Sequence, residues 1–308
     1  LLIPGFPMSI HTPPAGAVFR GRMLPWLLLA PQLAILALFF FRPAAEGLRQ
    51  AFHLADPFTG RGIYVGLDNF RALFAEPEYL DSIRASLIFA GLVAGVAMAL
   101  AFVLAAAADR LLGDRPALRS AIIWPYAVAP AVAGVLWLFL LHPSFGVIAR
   151  LLHEAGLAWN PLLDGTDAMA LIVAAAVWKQ VSYNFIFFFA AIRSVPKSLI
   201  EAAAIDGAGP LRQLRDVVWP LVSPTSFFLL VMNLIYAFFD SFGIVDAITE
   251  GGPGGATRLM VYKAYRDGFQ AQDLGGSAAQ SIVLMALVGV LTVIQFGWIE
   301  RKVSYARS

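Results

Sequence analysis

Six long apolar runs divide this chain, and they constrain its fold more than any other feature. Each run is long enough to cross the roughly 30 Å hydrocarbon core of a bilayer as a helix. Only 14% of the residues are charged, against about 25% in a soluble domain, and the mean hydropathy is +0.74. The sequence therefore predicts an all-α integral membrane protein. Its six transmembrane helices fall at about 24–41, 85–108, 120–141, 168–192, 217–240 and 280–299.

The charges between the runs predict the orientation of these helices. An even number of spans places both termini on the same side of the membrane. With the termini inside, Lys and Arg are about twice as dense in the inner segments as in the outer loops, as the positive-inside rule requires. We therefore expect a multi-pass protein of a plasma membrane with both termini in the cytoplasm.

Four regions follow from the same pattern. Residues 1–23 are rich in Pro and Gly and predict a cytoplasmic arm, and residues 24–82 hold the first span and an outer loop with helical turns. Residues 83–300 form one helical membrane unit, and residues 301–308 a cytoplasmic tail. In the last outer loop, residues 257–269 alternate apolar and basic side chains, which suits either an interfacial amphipathic helix or an ordinary surface helix.

Most signatures of catalysis are absent. There is no cysteine, which excludes disulfides, thiolate metal sites and cysteine nucleophiles. None of the four lysines follows the glycines of a phosphate-binding P-loop, and the four histidines have no metal-ligand spacing. We predict that the chain is not an enzyme, has no catalytic or metal-binding residues, and has no cofactor of its own.

A short charged helix is predicted between the fourth and fifth runs, over residues 196–206. Pro196 suits the first turn of a helix, and Gly207 suits the left-handed residue that ends one. Such a helix would be about 16 Å long. It is too short to span a bilayer and too apolar on one side to stay in water, so it predicts a docking element.

This segment also carries a recognisable motif. The pattern Glu201-Ala202-Ala203-x-x-x-Gly207, followed by Val217-x-Trp219-Pro220, resembles the EAA loop of binding-protein-dependent ABC importer permeases. The family pattern ends in Ile-x-Leu-Pro, from which Val217 and Trp219 depart conservatively. The resemblance is to the carbohydrate-type branch with the maltose permeases, and especially to the first permease subunit of sn-glycerol-3-phosphate importers. The stretches that carry it are 24–32, 65–70, 125–133, 177–185 and 236–240.

The resemblance implies the type I ABC importer permease fold, with a cytoplasmic coupling helix in an EAA loop at about 194–220, in a bacterial inner membrane. It implies three kinds of protein partner: a second homologous permease, two ATPase subunits that dock at the EAA loop, and a periplasmic substrate-binding protein. The ATPase subunits would use ATP and Mg²⁺. Membrane lipid would surround the spans, and no nucleic acid is implied. The implied substrate is sn-glycerol 3-phosphate or glycerophosphodiesters, and a sugar or polyol is the alternative. The implied ATPase-coupling residues are Glu201, Ala202, Ala203, Asp206 and Gly207.

Polar residues inside two spans are candidates for the translocation path. Those of the fourth span share one helical face beside Lys179, and those of the fifth recur at helical spacing. The candidates are Lys179, Gln180, Tyr183, Asn184, Phe187, Asn233, Tyr236 and Asp240. The alternative is that they form interhelical hydrogen bonds and a Lys179–Asp240 ion pair that stabilise the bundle. A membrane-embedded enzyme is one rival function, and a passive channel or secondary transporter acting alone is another.

Overall fold

The computed structural model describes residues 23–55, 62–111 and 116–299. In these ranges the elements, in chain order, are α1 (Met23–Gln50), β1 (His53–Ala55), β2 (Gly62–Tyr64), α2 (Asp68–Ala75), α3 (Pro77–Arg110), α4 (Ala117–Ala127), α5 (Pro130–Leu141), α6 (Val147–Glu154), α7 (Gly165–Arg193), α8 (Lys197–Ile205), α9 (Pro210–Asp240), α10 (Phe242–Ile248), α11 (Met260–Tyr265) and α12 (Leu274–Gly297). The predicted tail at 301–308, and the predicted arm apart from Met23, lie outside the described residues.

The six-span, all-α prediction is confirmed, with one span broken. Five helices of the described residues, α1, α3, α7, α9 and α12, are long and apolar enough to cross a membrane. The predicted third span is the pair α4 and α5, whose axes meet at 101°. Counting this pair as one span gives six.

Two prolines explain the break in the third span. A tight 3₁₀ turn containing Pro125 ends α4, Val128 and Ala129 are extended, and Pro130 is the first residue of α5. Proline lacks the backbone N–H that a helix interior needs and favours an extended residue before it. The sequence therefore interrupts the helix inside the apolar run and leaves backbone carbonyls that need other partners.

The outer loop between the first two spans contains a feature that the sequence did not predict. It forms a short antiparallel hairpin, in which His53 pairs with Tyr64 and Leu54 with Ile63, followed by the expected helical segment α2. The amide of Asn69 donates to the carbonyls of Ala51 and His53, at 2.9 and 3.1 Å. These bonds tie α2 to the start of the hairpin.

The chain divides into two compact units, of which the first ends at Arg49 and the second begins at Gln50. In the second unit α7 is central, and α3 packs along it. The buried face of α3 carries Ala90, Ala97, Ala101 and Ala105, small residues that let two helices approach closely. This close packing fixes the position of the polar face of α7.

The predicted amphipathic segment of the last outer loop is α11, which begins at Met260 rather than near residue 257. Met260, Tyr262, Lys263 and Ala264 are buried, so the helix packs into the protein on one face. The ammonium of Lys263 donates to Glu76 Oε1 at 3.0 Å and to Asp267 Oδ2 at 2.9 Å. The segment is thereby tied to the residue that precedes α3.

Candidate functional site

The predicted docking element exists as α8, with the expected boundaries. Pro196 is the residue just before the first helical turn, rather than inside it, and Leu199 N–H donates to its carbonyl at 3.1 Å. Gly207 has a φ of +77°, which a residue with a side chain rarely adopts. Gly207 N–H donates to Ala204 and Ala208 N–H to Ala203, at 3.0 and 2.9 Å, which is the Schellman arrangement.

Most of the surface of α8 is exposed in the part of the chain that the structure describes. No residue of the helix is buried, and Ile205 is 87% exposed. In the first turn of α9, Leu211 is 78% exposed. Of the predicted coupling residues, Ala203 is half-buried and Glu201, Ala202, Asp206 and Gly207 are exposed. No ion pair of the described residues involves Glu201. The helix thus presents apolar side chains and an unpaired carboxylate together.

The loop after α8 is held by two polar contacts. The guanidinium of Arg110, the last residue of α3, donates to the Pro210 carbonyl at 3.1 Å. The amide of Gln213 donates to the Ala208 carbonyl at 2.8 Å. Because α9 begins at Pro210, movement of α8 is linked through this short loop to α3 and α9.

A cavity of about 500 Å³ lies where the third span is broken. Five of the eight predicted path residues line it, namely Lys179, Gln180, Tyr183, Tyr236 and Asp240. The other wall is the break itself, residues 126–130, with Met232 and Ile235. The residues predicted to line the path do not include the break. Pro125 and Pro130 indicate a helix break there, but nothing local in the sequence places it opposite Lys179.

Lys179 is 95% buried, and its ammonium forms hydrogen bonds with the backbone of the broken span. It donates to the carbonyls of Tyr126, at 3.4 Å, and Val128. No ion pair within the described residues joins Lys179 to Asp240, so that part of the structural alternative is wrong. The carbonyls freed by the helix break are the stronger local partners. A lysine ammonium has three donors, so two carbonyls leave one N–H for the cavity.

Asn184 and Asn233 are not among the residues that line the cavity. Both are fully buried, and their amides bond reciprocally across α7 and α9, at 2.8 and 3.2 Å. Gln180 Nε2 also donates to Asn233 Oδ1, at 3.3 Å. This geometry favours the structural interpretation of the pair as an interhelical hydrogen bond. Phe187 contacts the rings of Tyr183 and Phe228 beside it, with centroids 5.0 and 5.4 Å apart.

Tyr236 and Asp240 lie in a wide turn of π geometry that ends α9. Such turns are rare and often occur at functional sites. Tyr236 is 91% buried and lines the cavity, and its hydroxyl has no hydrogen-bond partner among the described residues. A buried hydroxyl without a partner is destabilising. The Tyr236 hydroxyl is therefore a hydrogen-bond donor available to a molecule in the cavity.

The description of the matching family decides the class of this protein. Residues 91–305, from the middle of α3 beyond the end of α12, match the model of the "binding-protein-dependent transport system inner membrane component" family. The chain belongs to this family. It is accordingly a multi-pass inner-membrane transport subunit, a permease of an importer that works with a binding protein, as the EAA motif indicates.

Curated relatives cover nearly the whole chain. A protein of Brucella abortus named "sn-glycerol-3-phosphate transport system permease protein UgpA" is 52% identical over 94% of this chain and 98% of its own length. The protein of that name from Yersinia enterocolitica is 54% identical over 93% of this chain and 97% of its own length. The resemblance to glycerol-3-phosphate permeases is thus confirmed at the level of sequence.

Solved structures support the fold independently. A chain of a bacterial ABC transporter for the import of alginate matches with a TM-score of 0.78 at 22% identity, over 90% of this chain and 95% of that one. A bacterial alginate ABC transporter in complex with an alginate pentasaccharide-bound periplasmic protein also matches, with a TM-score of 0.78 at 22% identity, over 92% of this chain and 96% of that one. The ABC importer permease fold is therefore shown.

Proposed function

We propose that this chain imports sn-glycerol 3-phosphate as one permease subunit of an ABC importer. One observation supports this substrate. About half of the residues of this chain are identical to those of permeases named for sn-glycerol 3-phosphate, over nearly their full length. The complete importer would contain a second homologous permease, two ATPase subunits and a periplasmic binding protein. Both termini and α8 would face the cytoplasm.

The exposed surface of α8 supports docking of an ATPase. Glu201 would pair with a basic residue of the ATPase, while Ala202, Ala203 and Gly207 allow close approach and Ile205 supplies apolar contact. ATP and Mg²⁺ would be used by the ATPase subunits, since this chain has no P-loop. Closure of the ATPase dimer would move α8 and, through Pro210 and its contact with Arg110, tilt α9 and α3. Alternating access follows from that motion.

The cavity at the broken third span supports a path for a small polar substrate. Lys179, with one N–H left, and the Tyr236 hydroxyl could both donate to phosphate oxygens, while Asp240 could accept from glycerol hydroxyls. The residues that line this cavity would contact the substrate. Asn184 and Asn233 would instead hold α7 and α9 in register beside it.

A sugar or polyol is the second candidate substrate, and one observation favours it. Lys179 already donates to two backbone carbonyls, which is a sufficient reason for a buried lysine at this position without any phosphate. The structural role would then account for Lys179 in a carrier of uncharged molecules.

Stimulation of ATP hydrolysis separates the two substrates. The complete importer, reconstituted with its binding protein, should hydrolyse ATP faster with sn-glycerol 3-phosphate than with maltose or glycerol. Stimulation by maltose alone would remove the substrate assignment and leave the permease assignment intact. Uptake by this chain without ATPase subunits would contradict the coupling proposal.

A further inference from the structure

The helix α6 lies between two spans, at the end of α7 opposite α8. The broken span ends at Leu141 and α7 begins at Gly165, so α6 (Val147–Glu154) lies where the chain passes from one span to the next. With 8 residues it is about 12 Å long, too short for the roughly 30 Å of a hydrocarbon core. Its place in the chain therefore puts it near the boundary between membrane and water.

One face of α6 is fixed to the protein, and a second face is polar. Ala149 is fully buried, and Leu152 packs against the buried core. Arg150, His153 and Glu154 lie on a different side of the helix, and all three are exposed. The buried face holds α6 against the chain and fixes the direction in which its other faces point.

A cavity beside the polar face shows that this flank of α6 is on the water side. The cavity has a volume of about 870 Å³ and is bordered by His153. Its walls include Asn160, Asp164 and Asp167. Carboxylates and an amide are costly in a hydrocarbon layer, so these walls belong in water.

The third face of α6 is apolar and exposed. Val147 and Leu151 are both exposed, and a spacing of four residues puts them on the same side of the helix. This surface continues onto the span before it, because the rings of Phe145 and Phe139 are in contact with centroids 5.8 Å apart. Both rings are exposed, and Phe139 lies in α5. The apolar surface of a membrane span thus extends onto α6.

The size of these side chains favours lipid over another subunit. Helices that pack against each other in a membrane approach through small residues. The small residues Ala133 and Gly134 of α5 and Ala149 of α6 are already buried within the chain. The exposed positions carry large side chains such as Phe139 and Leu151. Acyl chains cover such a surface without needing a close helix contact.

We propose that α6 lies in the boundary between the headgroups and the hydrocarbon of the bilayer. Val147 and Leu151 contact acyl chains, while Arg150 and Glu154 point toward water. Helices with one apolar and one charged face bind membranes in this orientation. Because α6 packs against α5, lipid holds this end of the broken span in place. The proposal goes beyond the proposed function, since it depends on neither the substrate nor the ATPase subunits.

The test is spin labelling of the complete importer in proteoliposomes of phosphatidylethanolamine and phosphatidylglycerol. This chain has no cysteine, so Leu151→Cys and Arg150→Cys each place a single label on it. The importer with the cysteine-free parent chain gives the background from its other subunits. Collisions of the label with O₂, which concentrates in hydrocarbon, are compared with collisions with a water-soluble nickel complex. The ratio of the two should be about tenfold higher at position 151 than at 150, because the polar complex is excluded from hydrocarbon.

Two outcomes overturn the proposal. If the nickel complex reaches position 151 as easily as position 150, the apolar face of α6 is in water. If neither O₂ nor the nickel complex reaches position 151, a protein subunit covers that face instead of lipid. Should Leu151→Cys or Arg150→Cys not assemble, Val147→Cys and Glu154→Cys form a second pair on the same two faces, with the same expected ratio and the same contrary outcomes.

Discussion

The α7–α9 interface and the helix α8 differ in whether their polar groups have partners within the described residues. Between α7 and α9, the amides of Asn184 and Asn233 are fully buried and bond to each other. In α8, Glu201 has no ion pair within the described residues and lies on the same exposed helix as Ile205. Both regions are polar segments in a mostly apolar chain.

The difference separates groups that stabilise the chain from groups that bind something else. Buried amides that bond internally contribute to the stability of the bundle, because either amide alone would be left without a partner. An exposed carboxylate beside exposed apolar side chains contributes little to stability and is available to a second protein. Tyr236 combines both properties, since it is buried and its hydroxyl has no partner within the described part of the chain.

The largest expected effect is on coupling. Glu201→Lys should lower substrate transport by the complete importer about tenfold or more, because it replaces a contact with a basic ATPase residue by repulsion between like charges. The thermal midpoint of the purified subunits should not change, since Glu201 is exposed. Transport into proteoliposomes and co-purification of the ATPase measure the effect.

Glu154→Lys is the matched control for this charge reversal. Glu154 is also an exposed acid of a short helix, and its 3.0 Å ion pair with Arg150 is a surface pair of little energetic weight. Transport should stay close to that of the parent. Normal transport and ATPase recruitment in Glu201→Lys would show that the exposed surface of α8 is not the docking site.

The opposite result is expected for the buried amides. Asn233→Ala should destabilise the chain by about 1–3 kcal/mol, because Asn184 and Gln180 lose their shared partner. In the double variant with Asn184→Ala the loss should be smaller than the sum, by about 0.6–2 kcal/mol. Unfolding of the reconstituted protein, followed for both single variants and the double variant, gives this coupling.

Ser281→Ala is the control for a polar residue in a span. Its hydroxyl donates to the Ser277 carbonyl within the same helix, and the side chain is exposed. The change should have little effect on stability. Additive losses at Asn184 and Asn233 would mean that the two amides do not stabilise each other.

The comparison also shows what the sequence could predict. The boundaries of α8 follow from Pro196 and Gly207, because the signals that begin and end a helix are local. The five unbroken spans follow from long apolar runs for the same reason. The Glu201 motif predicts the proposed docking surface because the residues that form this surface are neighbours in sequence.

Long-range features could not be predicted in this way. Pro125 and Pro130 indicate an interruption, but the 101° angle depends on how α5 packs against α7 and α10. The partners of Lys179 lie about 50 residues earlier in the chain, so helical periodicity alone could not choose them over Asp240. The wide turn at Tyr236 and the hairpin after α1 have no strong local signal.

Tyr236→Phe is a test with a smaller expected effect, and it distinguishes a role of the hydroxyl in stability from a role in transport. Tyr236→Phe removes a hydroxyl that has no hydrogen-bond partner among the residues that the structure describes, so stability should be unchanged or slightly higher. If the hydroxyl donates to substrate, transport at low substrate concentration should fall about fivefold, through the loss of one hydrogen bond. Transport should be measured against substrate concentration, with thermal unfolding in parallel.

Tyr265→Phe controls for loss of a phenolic hydroxyl outside the cavity. Tyr265 packs against Phe242 and Phe269 in the segment of α11, and it is not among the residues lining the cavity. Its transport curve should match that of the parent. A clear loss of stability in Tyr236→Phe, with normal transport, would place Tyr236 with the structural amides.

The smallest expected effect concerns Lys263, a charged group whose partners are all internal. Its side chain is 4% exposed and donates to Glu76 and Asp267. Burial alone lowers the pKa of its ammonium, but the hydrogen bonds to Asp267 and Glu76 outweigh it, so the pKa lies above the ordinary 10.5. A raised pKa means that folding favours the protonated form. The stabilisation is complete below pH 10.5 and is lost as pH rises through the folded pKa.

Lys263→Met should therefore lower the thermal midpoint by about 2 °C at neutral pH, with a constant difference from the parent up to about pH 10. Above that pH the two midpoints should converge, because the parent loses the proton that the variant never had. Lys197→Met changes an exposed lysine and should show neither effect. If the parent and Lys263→Met stay the same distance apart through alkaline pH, the protonated Lys263 is not what holds α11 to Glu76. The loss of stability in Lys263→Met would then come from the packing of the side chain rather than from its charge.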